Sequence, residues 1–196
     1  MFLVDMKSEG IRIDPLQLLS EHDINAVFFD DVRVPAANLV GSLNKGWGVI
    51  TSQLNHERVT LCAPGMIEGA YESVLEWAAK TQRAEGGRVL DQEWVQISLA
   101  KVKAGIHVLR LTALEVAWLI SVGRDARAEV AIARYVASEA SYRVTFSAQH
   151  IHGGIGVDRE YPVHRYYLYA RHLELILGGS THHLQRLGKL IAEAAA

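Results

Sequence analysis

The sequence has little of the residue types that mark several common protein classes. Cys62 is the single cysteine among 196 residues, which excludes an intramolecular disulfide framework and favours a reducing compartment. Lysine and arginine number 20 against 22 acidic residues, so the formal net charge is −2, and there is no long basic run. Nucleic acid and an anionic membrane surface are therefore poor candidates for the main partner.

Long uninterrupted apolar segments are also lacking. Charged residues interrupt the longest apolar runs before the roughly 18 residues that a membrane span requires. The N-terminus does not have the pattern of a signal peptide. Hydrophobic residues nevertheless make up 49% of the chain, which is enough for a sizeable core. We therefore expect a soluble cytoplasmic protein of one domain or slightly more, without a membrane span.

Residues 1 to 41 have a strand-like pattern. The β-branched and aromatic runs MFLVDM, IRI and INAVFFDDVRV are separated by the polar segments KSEG and DPLQLLSEHD. The apolar residues of the third run do not alternate cleanly with polar ones, which predicts a mostly buried strand that Pro35 stops. Three strands cannot bury a sheet alone, so this part is expected to be a piece of a larger sheet.

From residue 46 onward apolar residues recur every three or four positions, which predicts helices. The first helical pattern covers residues 45 to 82, and Pro64 is expected to bend it or to mark its true start. The segment EWVQISLAKVKAGIHVLRLTALEVAWLISVG predicts a second, long helix. Its core-facing stripe is predicted to be Ile97, Ala100, Ala104, Val108 and Leu111.

Three more helices follow. The third is predicted to begin after a capping Asp125, the fourth covers VHRYYLYARHLELI, and the last begins at Thr181. Glycine-rich turns, EGGRVLDQ, HGGIGVDREYP and GGS, separate them. The chain is therefore predicted to be mainly α, with an antiparallel four-helix bundle over residues 45–196 preceded by a partial β-domain over residues 1–44.

The stretch QLNHERVTLCAPG contains an adjacent acid and base, Glu57 and Arg58, near the start of the first helical pattern. An acid in the first turn of a helix is favoured by the helix dipole alone. On spacing alone, two interpretations remain: the pair consists of ordinary solvent-exposed residues, or Glu57 is a catalytic base.

Nine histidines raise the question of a metal site. His150 and His152 are two positions apart and His182 and His183 are adjacent, so on a helix neither pair faces one ligand. No cysteine or paired carboxylate completes a set at zinc spacing, and no metal site is expected. The GGIG segment is not a dinucleotide fingerprint, because the required strand–turn–helix unit does not surround it.

The order of four sequence blocks resembles the C-terminal half of the acyl-CoA dehydrogenase family. They are VFFDDVRVPAANLVGSLNKGW, HERV followed by Arg83, HGGIGVDREYPVHRYY and LGGSTHHLQRL. The resemblance implies that residues 1–44 are the end of a middle β-domain. Family members also have an N-terminal helical domain and a complete β-domain. We therefore expect a piece of a longer protein, a truncated product or a subunit lacking that part.

The resemblance implies FAD-dependent dehydrogenation of an acyl-CoA thioester. A glutamate removes the α-proton while the β-hydride passes to flavin N5. Most members resembling the medium-chain enzyme carry this glutamate in the late turn, where the present sequence has Gly178. Members resembling isovaleryl-CoA dehydrogenase carry it on the first bundle helix before an arginine. That pattern makes Glu57 the expected base and Arg58 an expected substrate-binding residue.

The resemblance also implies cofactor-binding residues. Arg83 would contact the flavin diphosphate across a dimer interface, but the hydroxyl and aromatic that usually follow it are replaced by Glu85 and Gly86. An anion beside a diphosphate is repulsive unless it turns away. The other expected contacts come from the glycine turn, the residue before it and the late turn: Gly153, Gly154, His150 (or its neighbour Gln149), Ser180 and Thr181. Ordinary inter-helix turns are the alternative interpretation.

The expected partners follow from the same resemblance. They are an acyl-CoA substrate, a homo- or hetero-tetramer built as a dimer of dimers, and an electron-transfer flavoprotein. Some members with unlike subunits and degraded half-sites act on steroid side chains, and the last two blocks resemble that branch. The alternative function is therefore a non-catalytic partner subunit that completes a neighbour's FAD site. The isolated 196 residues are expected to be inactive.

Overall fold

The computed structural model describes residues 1–18, 24–60, 64–175 and 178–195, with the side chains of residues 55–60 and of residue 66 left out. The described part contains two strands and six α-helices, with short 3-10 turns between them. The strands are β1 (Ile11–Leu16) and β2 (Ile24–Phe29), and the helices are α1 (Gly46–Thr60), α2 (Gly65–Lys80), α3 (Glu93–Ser121), α4 (Arg127–His152), α5 (Val163–Leu175) and α6 (Gly179–Ala194).

The chain divides into two compact units, Met1–Arg58 and Val59–Ala196. The first unit contains an antiparallel hairpin of β1 and β2, with Ile11 opposite Phe29 and Leu16 opposite Ile24. The predicted boundary at residue 45 between a β-domain remnant and a bundle stays a prediction.

Three expectations for the strands were wrong. The MFLVDM run forms only an isolated bridge, between Phe2 and Leu39. Strand β2 ends at Phe29 rather than at Pro35, because Asp31 turns into the left-handed region with φ of 47°. Its residues are also mostly exposed, since a two-stranded hairpin has no neighbouring layer of its own to cover its faces.

The second unit is a helical bundle organised around α4. This helix packs against α2, α3, α5 and α6. Many of its buried residues are small, which allows neighbouring helices to approach closely. They include Ala131, Ala133, Ala137, Ser138, Ala140, Ser141 and Ala148. The prediction of a mainly α fold with a helical bundle is confirmed.

The helices begin within about two residues of the starts that the sequence predicts. Pro64 lies at the N-cap of α2, as expected for a residue that cannot continue a helix. Asp125 was expected to cap α4, but Ala126 holds the N-cap position. The Asp125 carboxylate instead accepts the backbone N–H of Arg127 at 3.1 Å and pairs with its guanidinium.

The face of α3 that packs into the bundle is not the one predicted. All five residues of the predicted stripe are exposed, with Ile97 47% and Leu111 54% accessible. The buried set is Val95, Leu99, Val102, Ile106, Leu109, Val116 and Leu119. Apolar residues lie on both faces of α3, so periodicity alone could not choose the buried one.

By length and composition, α3 could also span a membrane, with a mean hydropathy of 1.3 over its most apolar window. Core helices of soluble proteins pass the same test. Arg110 and Glu115 interrupt this segment, and Leu109 and Ile106 between α2 and α4 belong to the bundle core. Only 22% of that window is buried, so packing accounts for one face of α3 and leaves a second apolar face exposed.

Candidate functional site

The expected base lies at the end of a helix rather than at its beginning. The backbone of Glu57 and Arg58 is in the final turn of α1, which starts at Gly46. A negative charge is favoured near a helix N-terminus and disfavoured near the C-terminus. The helix dipole therefore gives no structural reason for an acid at Glu57. The side chains of both residues, and Cys62, lie outside the described part of the chain.

The late turn between α5 and α6 requires glycine. Gly178 is the N-cap of α6 and has φ of 121°, a conformation that L side chains rarely adopt. A Cβ at this position would lie 2.7 Å from Cδ2 of His182. A glutamate at position 178 would therefore clash with the His182 ring and strain the backbone.

The first turn of α6 presents backbone donors. Ser180 and Thr181, both expected cofactor contacts, follow the Gly178 turn, with Ser180 half-buried and Thr181 exposed. Gly178 has no side chain to cap the helix, and the first N–H groups of any helix have no partner within it. Together with the helix dipole, these donors favour an electron-rich ligand atom.

Arg83 lies at the base of a tight hairpin after α2. Its backbone N–H donates to the Gly87 carbonyl at 2.9 Å, and Gln82 pairs with Arg88 across the hairpin. The Arg83 guanidinium forms an ion pair with Glu85 at 3.2 Å. The anion that replaces the expected hydroxyl is therefore turned toward Arg83 and neutralises it within the chain.

The glycine turn begins where α4 ends. Gly153 closes the helix with φ of 67°, and a Cβ at Gly153 or Gly154 would meet nothing within 4 Å. Both positions therefore offer open backbone. Sequence reasoning missed Gly156, where a Cβ would lie 2.9 Å from the Gln149 carbonyl. Gly156 is the residue that lets this turn pack back on α4.

The structure separates the roles of Gln149 and His150, which the sequence left open. The Gln149 amide donates to the Gly156 carbonyl at 3.4 Å, within the turn. The His150 ring is exposed on the outer face of α4, stacked 6.0 Å from Phe146 and edge-on to Trp94 at 5.2 Å. His150 is therefore the better placed of the two for an external ligand.

The sequence analysis considered His152 only as a metal ligand and missed its packing role. Its ring stacks on Trp77 with centroids 4.0 Å apart and meets Tyr161 edge-on. Its Nδ1 lies 2.7 Å from the Ala148 carbonyl, so Nδ1 carries the proton. Burial lowers the pKa of this histidine below its usual value. His152 therefore holds the glycine turn against α2 as a neutral ring.

A polar seam runs between α4 and the two helices that follow. Arg134, Ser138, Ser141 and Thr145 lie on one face of α4 and are buried. His183 of α6 is also buried, and burial, with Arg134 next in effect, lowers its pKa to about 4. No sequence pattern identified this seam, because each residue alone resembles a solvated helix position. Among the described residues, no group of three or more potential ligands is placed to hold a metal ion.

The outer face of α3 and α4 is apolar and open. Tyr142, Phe146 and His150 form a ladder of rings along α4, each about one turn from the next, with 6.0 Å between successive centroids. A groove of about 430 Å³ is lined by Tyr142 and Phe146 of this ladder, together with the charged residues Lys101, Glu139 and Arg143. On α3, large apolar residues extend this surface, namely Trp94, Ile97, Val108, Leu111, Leu114 and Trp118.

The chain is similar in sequence to known proteins over most of its length. Residues 44–192 match the family described as acyl-CoA dehydrogenase, C-terminal domain. The acyl-CoA dehydrogenase FadE26 of Mycobacterium tuberculosis is 44% identical over 126 residues, which are 64% of this chain and 32% of the relative. The acyl-CoA dehydrogenase FadE27 of the same organism is 30% identical over the whole chain and 54% of its own length.

A solved structure with a similar fold contains two kinds of subunit. A chain of the ChsE4-ChsE5 complex from Mycobacterium tuberculosis superposes with a TM-score of 0.83 at 30% identity, over 98% of this chain and 52% of that one. The present chain therefore spans about half the length of these proteins, or less.

Proposed function

This chain belongs to the acyl-CoA dehydrogenase family, and we propose that it supplies the C-terminal part of a FAD-dependent enzyme that dehydrogenates an acyl-CoA thioester between its α- and β-carbons. The observation that carries the choice of base is the Gly178 turn. A side chain there would meet the His182 ring, so a carboxylate at position 178 would require His182 to move. The acid on α1, Glu57, is the remaining family position for the base.

In the proposed reaction Glu57 accepts the α-proton, and Arg58 binds the substrate beside it. Bound FAD would accept the β-hydride at N5. A carboxylate that works as a base near neutral pH needs a site that is partly desolvated, because burial raises its pKa. The backbone donors of the α6 first turn would hold an oxygen of the cofactor or substrate, with Ser180 and Thr181 adjacent.

The residues of the described chain fit FAD at two places and disagree with it at a third. Gly153 and Gly154 present open backbone, and His150 lies exposed beside them, which suits a large planar cofactor with a diphosphate. The N-terminus of α6 suits an electron-rich atom. The hairpin that carries Arg83 does not suit the diphosphate of FAD, because Glu85 already pairs with the Arg83 guanidinium.

The proposal is tested by Glu57→Gln in the longer protein, assayed with short, branched, long-chain and sterol-derived CoA esters. We expect the variant to retain flavin absorbance and to lose dehydrogenation. Glu72→Gln, which removes an exposed acid from α2, is the matched control and should keep activity. Turnover by Glu57→Gln at the wild-type rate would exclude Glu57 as the base.

A second candidate function is that of a partner subunit completing the flavin site of an unlike chain. The observation favouring it is the Arg83–Glu85 ion pair, since it weakens this chain's own contribution to a shared site. Flavin content measured on the purified chain, alone and mixed with candidate partners, distinguishes the two. One FAD per unlike pair supports the partner function, whereas one FAD per chain without a partner contradicts it.

The surface for such a partner, or for a second copy, is proposed to be the outer face of α3 and α4. Leu111 and Phe146 are 54% and 58% accessible, and exposed apolar patches of this kind are typical of interfaces. A tetramer and an electron-transfer flavoprotein remain proposals on the family resemblance. Leu111→Glu should lower the molar mass measured by light scattering, and an unchanged oligomer would exclude this face.

A further inference from the structure

The hairpin between α2 and α3 carries two arginines whose charges are neutralised in different ways. Arg83 and Arg88 flank a turn made by Gly86 and Gly87, both with left-handed φ of 92° and 74°. The hairpin is fixed by backbone hydrogen bonds, including Val89 N–H to the Thr81 carbonyl at 3.0 Å. The backbone positions of Arg83 and Arg88 are therefore fixed by the hairpin.

Arg88 is held firmly within the chain. Its Nη2 and Nε donate to the Asp91 carboxylate at 2.7 and 3.2 Å, and its backbone N–H donates to the same carboxylate at 2.8 Å. These hydrogen bonds raise the pKa of Arg88 and lower the pKa of Asp91. An external anion would have to displace several contacts at once, so Arg88 is a poor anion site.

Among the described residues, Arg83 forms an ion pair with one exposed carboxylate, that of Glu85. Its ion pair with Glu85 is 3.2 Å long, and the side chains are 31% and 72% accessible. An exposed pair of this kind contributes little free energy, so an incoming anion can displace Glu85. The displaced carboxylate stays two residues away in the chain and repels the anion that replaced it.

Resting on the FAD-dependent function proposed above, we propose that Glu85 is an internal anion that occupies Arg83 and suppresses the binding of a diphosphate at this hairpin. The ligand class is a nucleoside or dinucleotide diphosphate, whose paired phosphates match a planar guanidinium. The charge of Glu85 thereby determines how tightly Arg83 of this chain can bind the diphosphate of a flavin cofactor. Removing its charge converts the hairpin into an anion site.

The test is calorimetric titration of the full 196-residue chain with ADP, comparing wild type, Glu85→Gln and the control Glu72→Gln. We expect Glu85→Gln to bind ADP about three- to tenfold more tightly than wild type, from loss of one exposed ion pair and one repulsion. Glu72→Gln removes an exposed carboxylate from α2, outside the hairpin, and should bring no gain of that size. The gain should disappear when Arg83→Gln is added to Glu85→Gln.

Equal affinity of Glu85→Gln and wild type would overturn the proposal, as would a gain that survives Arg83→Gln or no detectable binding by either protein. Circular dichroism melting of each variant checks that the fold is intact, and little change is expected at an exposed turn. This titration does not involve Glu57. Failure of the dehydrogenase proposal would appear in the Glu57→Gln assay, and failure of the present inference would appear here.

Discussion

The ring of His182 occupies the space that a side chain on Gly178 would need, with Cδ2 2.7 Å from the ideal Cβ position. Because Gly178 also has φ of 121°, Gly178→Ala should destabilise the chain by about 1–3 kcal/mol. Gly154→Ala is the control, since its Cβ would meet nothing within 4 Å; its change should stay within about 0.5 kcal/mol. Urea unfolding measures both, and equal stabilities would contradict the clash.

The same geometry predicts the outcome of moving the base. Gly178→Glu added to Glu57→Gln should not restore dehydrogenation, because the new side chain cannot enter the turn without displacing His182. At Gly179 the φ is 65° and the nearest atom to a Cβ is the Glu174 carbonyl oxygen at 3.5 Å, an ordinary contact. Gly179→Glu should therefore fold better than Gly178→Glu. Turnover restored by Gly178→Glu would contradict this view of the turn.

Two serines on the polar face of α4 should respond in opposite ways to alanine. Ser138 Oγ donates to the Glu174 carbonyl at 3.2 Å and ties α4 to α5, so Ser138→Ala should cost about 1 kcal/mol. Ser141 Oγ is buried with no hydrogen-bond partner among the described residues. Ser141→Ala should therefore be neutral or stabilising in urea unfolding. A loss of more than about 1 kcal/mol would show that Ser141 has a polar partner.

The sequence determined the helices better than it determined their faces. Spacing and punctuation predicted α3 almost to the residue, and Pro64 at the start of α2. They predicted the wrong one of the two apolar faces of α3, because burial depends on which side α2 and α4 occupy. Similarly, β2 has a strand composition, but its burial depends on neighbouring layers. The family blocks identified the turns, whereas the polar seam with His183 depends on contacts between distant helices.

The two faces of α3 differ in what they contribute to the folded chain. Leu109 is fully buried and Leu111 is 54% accessible. Leu109→Ala should destabilise the chain by about 2–5 kcal/mol, because it removes buried apolar atoms and leaves a cavity in the core. Leu111→Ala should change the free energy of unfolding by no more than about 0.5 kcal/mol in dilute solution. Equal losses would mean that the buried face of α3 has been assigned incorrectly.

Stability should fall as the pH drops from 6.5 to 4. The pKa of His183 is lowered from 6.5 to about 4, first by burial and then by Arg134. Between pH 6.5 and 4 the unfolded chain therefore binds a proton on this histidine that the folded chain does not. The stabilisation from neutral His183 is fully present above pH 6.5 and is lost as the pH falls toward 4. The loss approaches roughly 3 kcal/mol at pH 4, and His152 contributes in the same direction.

Urea unfolding at several pH values measures this slope. His183→Gln should flatten it, because the proton uptake on unfolding is lost. His107→Gln, which replaces an exposed histidine on α3, should leave it close to that of the wild type. A His183→Gln variant with an undiminished slope would assign the effect to other groups.

The central proposal is that Glu57 removes the α-proton, and exchange of that proton tests it most directly. The longer protein is loaded with flavin and incubated with a saturated acyl-CoA in deuterated water without an electron acceptor. Deuterium at the α-carbon is then measured by mass spectrometry. The wild type should incorporate deuterium, and Glu57→Gln should not, although it retains flavin. Exchange by Glu57→Gln at the wild-type rate would show that another group is the base.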